Sequence, residues 1–150
     1  MAGRSALINV MHKASMAASK RMMRDFGEVE NLQVTRKGSA DFVSQADISA
    51  ERTIQAELTK ARPDWGFIME EAGQIDAKDK DAPCWIIDPI DGTTNFLHGI
   101  PHFAISIAVM EKGKITAGTV FDPARNEFYF AETGTGAFLN DRRIRVSGRR

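Results

Sequence analysis

Apolar residues recur every three or four positions in the first part of the chain, then collect into short runs beyond residue 63. Over residues 5–26, Leu7, Val10, Met11, Ala14, Ala18 and Met22 share one helical face, which predicts a helix stopped by Gly27. Met16, Met22 and Met23 read as core packing there. Residues 34–44 predict a loop broken at Lys37-Gly38-Ser39. A second helix is predicted over residues 44–61, with Ser44 and Asp47 at capping-box spacing. Ala50, Ile54 and Leu58 form its apolar face, and Pro63 ends it. Residues 66–69 then predict a strand running into Glu70-Glu71, followed by a polar loop over residues 74–83. Trp85-Ile86-Ile87 predicts a second strand, running into Asp88, and residues 92–97 a short helix closed by Gly99. Strands over residues 104–110 and 115–121 flank the hairpin Glu111-Lys112-Gly113-Lys114, and further strands follow at 127–132 and 137–139, before Asn140-Asp141. Two helices followed by a mostly antiparallel sheet make the class α+β, in one domain over residues 1–150.

Composition narrows this little. Apolar residues are 43% and charged residues 27%, with twenty basic balanced by twenty acidic, so neither a nucleic-acid nor a membrane partner is expected. The basic end, Arg142-Arg143-Ile144-Arg145 to Arg149-Arg150, reads as a solvated, frayed terminus. Cys84 is the single cysteine and reads as a core thiol beside Trp85. Trp65 and Trp85 read as core residues. No run reaches membrane-span length and the start lacks a signal-peptide core, so a cytoplasmic location is expected.

The chemistry sits where strands end on acids. Unpaired buried carboxylates are costly, so Glu70, Glu71 and Asp88 must be solvated, paired or cation-bound. In Asp88-Pro89-Ile90-Asp91-Gly92-Thr93-Thr94 a proline fixes the backbone between two aspartates three apart. Such a turn can aim both carboxylates and the Ile90 carbonyl at one point. Oxygen-only ligands suit a hard cation such as magnesium. Gly92, Thr93 and Thr94 follow at a helix start, where free N–H groups suit an anion. Cation ligands beside a phosphate cradle are what phosphoryl chemistry needs. His98 and His102 read as loop or helix-cap residues, since magnesium prefers oxygen.

The run Asp88-Pro89-Ile90-Asp91-Gly92-Thr93-Thr94-Asn95-Phe96 resembles the signature of the inositol monophosphatase family. Glu70-Glu71 matches the family's acidic pair after a strand, residues 37–47 resemble its mobile-loop segment, and residues 101–109 its following strand. The resemblance covers essentially the whole chain and implies a layered sugar-phosphatase fold. It implies that Glu70, Asp88 and the Ile90 carbonyl bind a first magnesium, and Asp88 and Asp91 a second. Asp91, Gly92, Thr93 and Thr94 would bind substrate, with the Gly92 and Thr93 N–H groups on phosphate. Thr93 and Asp47 would orient the attacking water, and Glu70 counts with them as catalytic. Lys37 is placed near the metal–phosphate loop or on the surface. The implied reaction is hydrolysis of a phosphomonoester, foremost myo-inositol monophosphate, by a lithium-sensitive homodimer.

The resemblance also marks a departure. The family pattern continues into a second half, whose Trp-Asp motif completes the second metal site and which supplies most contacts to the inositol ring. Neither is in these 150 residues, so the chain alone is expected to bind metal and turn over poorly. Three other readings compete. Some bacterial members act in ribosomal-RNA transcription through protein contacts. Sister families cut fructose bisphosphate or 3′-phosphoadenosine nucleotides. Haloacid-dehalogenase-type phosphatases use an Asp-Gly-Thr segment, but with one residue between the aspartates instead of two, and with the first as a nucleophile.

Overall fold

The computed structural model describes residues 3–32 and 36–149. Helix α1 spans Ala6–Leu32 and helix α2 spans Arg36–Ala61. The Ser5 hydroxyl accepts the Ile8 N–H at 3.1 Å and so caps the start of α1. The strands are β1 (Gly66–Met69), β2 (Gly73–Ile75), β3 (Cys84–Asp91), β4 (Ala104–Glu111), β5 (Lys114–Asp122), β6 (Glu127–Glu132), β7 (Gly136–Leu139) and β8 (Arg142–Ile144). A five-residue helix, α3 (Thr93–Leu97), lies between β3 and β4. The strands form one eight-stranded sheet in the order β2-β1-β3-β4-β5-β6-β7-β8. Among the described residues, β1 and β3 pair in parallel and every other pairing is antiparallel. The α+β expectation holds.

α1 and α2 lie against each other and against one face of the sheet. Ala14 and Ala18 of α1 and Ala46 and Ala50 of α2 are all buried. Small side chains at a helix contact let the two axes approach. Beneath them, Trp85 pairs with Val109 and Val109 with Ala117, while Ile87 pairs with Ile107. Alternate residues of a strand share a face, so Phe67, Met69, Trp85, Ile87, Ile105, Ile107, Val109 and Phe121 form the buried floor. Each large side chain placed there contributes about 1.5–3 kcal/mol. Trp85 is fully buried and Met22 nearly so, while Trp65, Met16 and Met23 pack at the core's margin, as expected of them. Cys84 is half-buried, and burial pushes its thiol pKa up, which suits the inert role expected of it.

Several local expectations are corrected. Gly27 does not stop α1, because Val29 beyond it is buried and Phe26 beside it packs on Phe96 and Phe103. A mid-helix glycine costs only about 1 kcal/mol, which such burial outweighs. The segment expected as a loop, and as the family's mobile segment, is helical from Arg36, with Val43 and Ala46 extending the buried face. Val34 and the Lys37 side chain lie outside the described residues. Ser44 is therefore inside α2 and not at its start. The expected polar loop contains edge strand β2, with Ile75 paired to Phe67. The basic end is not wholly frayed: β8 pairs with β7 through Ala137 and Ile144. Among the described residues, no helix is long and apolar enough to cross a membrane.

Candidate active site

The parallel pair builds the centre of the site. Met69 is in register with Ile87, so the next residues, Glu70 and Asp88, emerge side by side where β1 ends and β3 runs on. Their carboxyl groups share a hydrogen bond. That bond, with burial and the charges of Asp88, Glu71 and Glu51 behind it, raises Glu70 to about 7. Asp88 is raised as well, chiefly by burial, against the opposing hydrogen bond from Glu70. The charge of Asp91 adds to the rise, the Ile90 amide works against it, and the charge of Glu51 adds again.

β3 does not end in the turn expected at Pro89. It continues as strand to Asp91, with an extra residue between the Asp88–Ser106 and Asp91–Ala104 pairs. This bulge bends the strand and re-aims its side chains. Ile90 is buried inside it, Asp88 half-buried, and Asp91 exposed at its end. The Ile90 carbonyl faces the next element and accepts the Thr93 hydroxyl at 3.0 Å.

Gly92 caps α3 in a left-handed conformation, with φ of 101°. A side chain there would meet the His102 carbonyl at 3.0 Å and Phe103 Cα at 3.2 Å. Asn95 ties the same His102 carbonyl with a 2.8 Å hydrogen bond. Thr94 is exposed, and its carbonyl receives the His98 ring at 2.8 Å and the His98 N–H at 3.1 Å. His98 is thus the helix cap expected of it, and Gly99 closes α3 through its N–H to Phe96.

Asp47 approaches from α2. It is 6% exposed, and its Oδ1 has no hydrogen-bond partner among the described residues; the same is true of Asp88 Oδ1. Burial, then the charges of Glu71, Glu70, Asp88 and Glu51, raise Asp47 to about 7. Buried carboxylate oxygens without donors, in mutually repelling groups, are the chemistry of a hard-cation site. The closure is incomplete: among the described residues, no three acidic, imidazole or thiol side chains converge into a metal-holding group. A cleft of about 410 Å³ is lined by Asp91, Gly92, Asn95, His102, Arg125 and Tyr129, and not by Glu70 or Asp88.

One residue of the site escaped the sequence reading. Glu51, one helical turn beyond Asp47, is 3% exposed and accepts the Glu71 N–H at 3.0 Å and the Ala72 N–H at 2.9 Å. The four-residue spacing from Asp47 was the available signal.

The sequence profile of the inositol monophosphatase family matches residues 4–150. An inositol-1-monophosphatase of Mesorhizobium japonicum is 59% identical over 146 residues, which cover 97% of this chain and 54% of that protein. A Nus factor SuhB of Xylella fastidiosa is 42% identical, over 95% of this chain and 51% of that protein. The native crystal structure of the extragenic suppressor protein suhB of Bartonella henselae superposes with a TM-score of 0.87 at 57% identity, over 97% of this chain and 56% of that one. The chain therefore spans about half the length of the relatives it matches.

Proposed function

We propose that this chain, which belongs to the inositol monophosphatase family, supplies the cation- and phosphate-holding part of a magnesium-dependent phosphomonoesterase acting on myo-inositol monophosphate. One observation carries the reading: Glu70, just past the end of β1, faces Asp88 at the bulge in β3, beside buried oxygens of Asp47 and Asp88 that have no partner among the described residues. Their donor chemistry fits a hard divalent ion. Glu70, Asp88 and the Ile90 carbonyl would hold a first ion, and Asp88 and Asp91 a second. When bound, magnesium offsets phosphate charge and makes water a stronger nucleophile.

The chain's own residues do the positioning. Gly92 and Thr93 present backbone N–H groups at the start of α3, where phosphate oxygens can be taken. The Thr93 hydroxyl donates its proton to the Ile90 carbonyl, which leaves its lone pairs to accept from water. Asp47 offers a second acceptor through Oδ1. Water held between them would attack phosphorus directly as the phosphorus–oxygen bond to inositol breaks; water loses a proton, the departing inositol oxygen gains one, and no side chain is phosphorylated.

A chimera tests this. This chain would be joined to the portion of the Mesorhizobium relative that it does not cover. The chimera should release phosphate from myo-inositol 1-phosphate only with magnesium, and lithium should inhibit it. A folded chimera that is inactive, or active in chelator, would overturn the reading. The Nus-factor relative favours a second reading, action through protein contacts in transcription. A chimera that captures transcription proteins but lacks phosphatase activity would favour it.

A further inference from the structure

Glu51 has no place in the proposed chemistry, yet it is among the most buried charged side chains described. No ion pair involves it among the described residues. A buried carboxylate without a cation is expensive, and here two backbone N–H groups offset the cost, one on each oxygen. Those N–H groups belong to Glu71 and Ala72, the two residues that follow Glu70 where β1 gives way to the tight turn into β2.

The geometry matters because Glu70 itself lies outside the strand pairing, in a turn closed by the Met69–Gly73 pair. It lies one residue past the last β1–β3 pair, Met69 with Ile87, and it is exposed. The sheet holds Met69; beyond that, the backbone is tied to α2 by Glu51 alone among the described hydrogen bonds. The same helix carries Asp47 one turn earlier, so a single rigid element sets Asp47 directly and Glu70 through the turn. We propose that Glu51 is a positioning residue for the cation site, clamping the 70–72 turn to α2 so that the Glu70 carboxyl is held against Asp88. A neutral acceptor could satisfy one amide, but only a carboxylate satisfies both at once without adding a donor.

This inference rests on the proposed cation site, and the test separates the two. Magnesium alone would be titrated into the full chain by calorimetry, for wild type, Glu51→Gln and Glu51→Ala. Amide hydrogen exchange would be followed in the same samples without metal. Loss of a group that orients a metal ligand typically weakens binding 10–100-fold. Both variants should therefore bind magnesium at least tenfold more weakly than wild type. They should also exchange faster at Glu71 and Ala72 while the β3 and β4 amides stay protected. Glu51→Gln keeps the side chain's size, so it serves if Glu51→Ala does not fold. A merely structural role would speed exchange across the sheet and leave the affinity of folded molecules unchanged, which would overturn the inference. Wild-type affinity in a folded variant would overturn it too, with the cation site intact. A wild-type chain that binds no magnesium would overturn both.

Discussion

Asp88 meets three demands at once: it pairs with Glu70, it opens the bulge in β3, and one of its oxygens lies buried without a donor. Asp88→Asn keeps the shape and removes the charge. In the chimera it should cut magnesium-dependent turnover by about 100-fold or more, the scale of losing one preorganised electrostatic contact, with little change in urea midpoint. Turnover within a few-fold of wild type would sink the assignment. Thr93→Ala should lower kcat more than it raises KM, since the backbone N–H groups that hold phosphate remain; a change confined to KM would argue against its role toward water. The raised carboxyl groups also predict a pH dependence. An acid whose folded pKa exceeds its unfolded value contributes stability that is full below about pH 4, the unfolded range, and lost as pH rises through the folded pKa. With Asp47 and Glu70 both raised to about 7, the chain in chelator should lose stability between pH 4 and 7. Asp47→Asn should flatten that slope in urea titrations, and an unchanged slope would contradict the account. Magnesium, which binds the ionised groups, should stabilise more at pH 8 than at pH 5.

At the scale of elements, two glycines make a paired test. Gly113 has φ of 77° with open space around it, so Gly113→Ala should cost about 1 kcal/mol from backbone strain alone. Gly92 adds a close approach to the His102 carbonyl and Phe103, so Gly92→Ala should cost clearly more, measured by denaturant midpoint. Equal costs would mean that the α3 start relaxes freely. The hairpin was legible because Glu111-Lys112-Gly113-Lys114 between two apolar runs admits few alternatives, and Lys112 and Gly113 do take positive φ. β1 and the Trp85–Ile87 core of β3 were legible for a like reason: short apolar runs that end on acids have few other readings. The first turns of α2 were not, because Lys37-Gly38-Ser39 carries breaker propensities that the burial of Val43 and Ala46 overrides. The bulge escaped because a proline between aspartates suggests a turn, and only the register against Ser106 and Ala104 shows a continuing strand. Glu51 escaped because its partners are backbone amides twenty and twenty-one residues away, and a helix pattern does not announce them.

For the whole molecule, α1 and α2 cover one face of the sheet, and the opposite face carries Ile68 and Val120, 36% and 43% exposed. Exposed apolar area of this kind drives association. The chain alone should self-associate with concentration in light scattering, and Val120→Lys should reduce it. A monodisperse monomer at all concentrations would contradict this. The chain matches only about half the length of its relatives, so its own hydrolysis of inositol phosphate should be slow compared with the chimera. The ligands proposed for the first cation all lie within these residues, and cation binding is the premise of everything proposed for the site. The most direct test is therefore a calorimetric titration of magnesium into chelator-stripped chain at pH 8, for wild type and Asp88→Asn. Saturable binding by wild type, at least tenfold weaker in Asp88→Asn, is the predicted result; no binding by wild type, or equal binding by both, would contradict it.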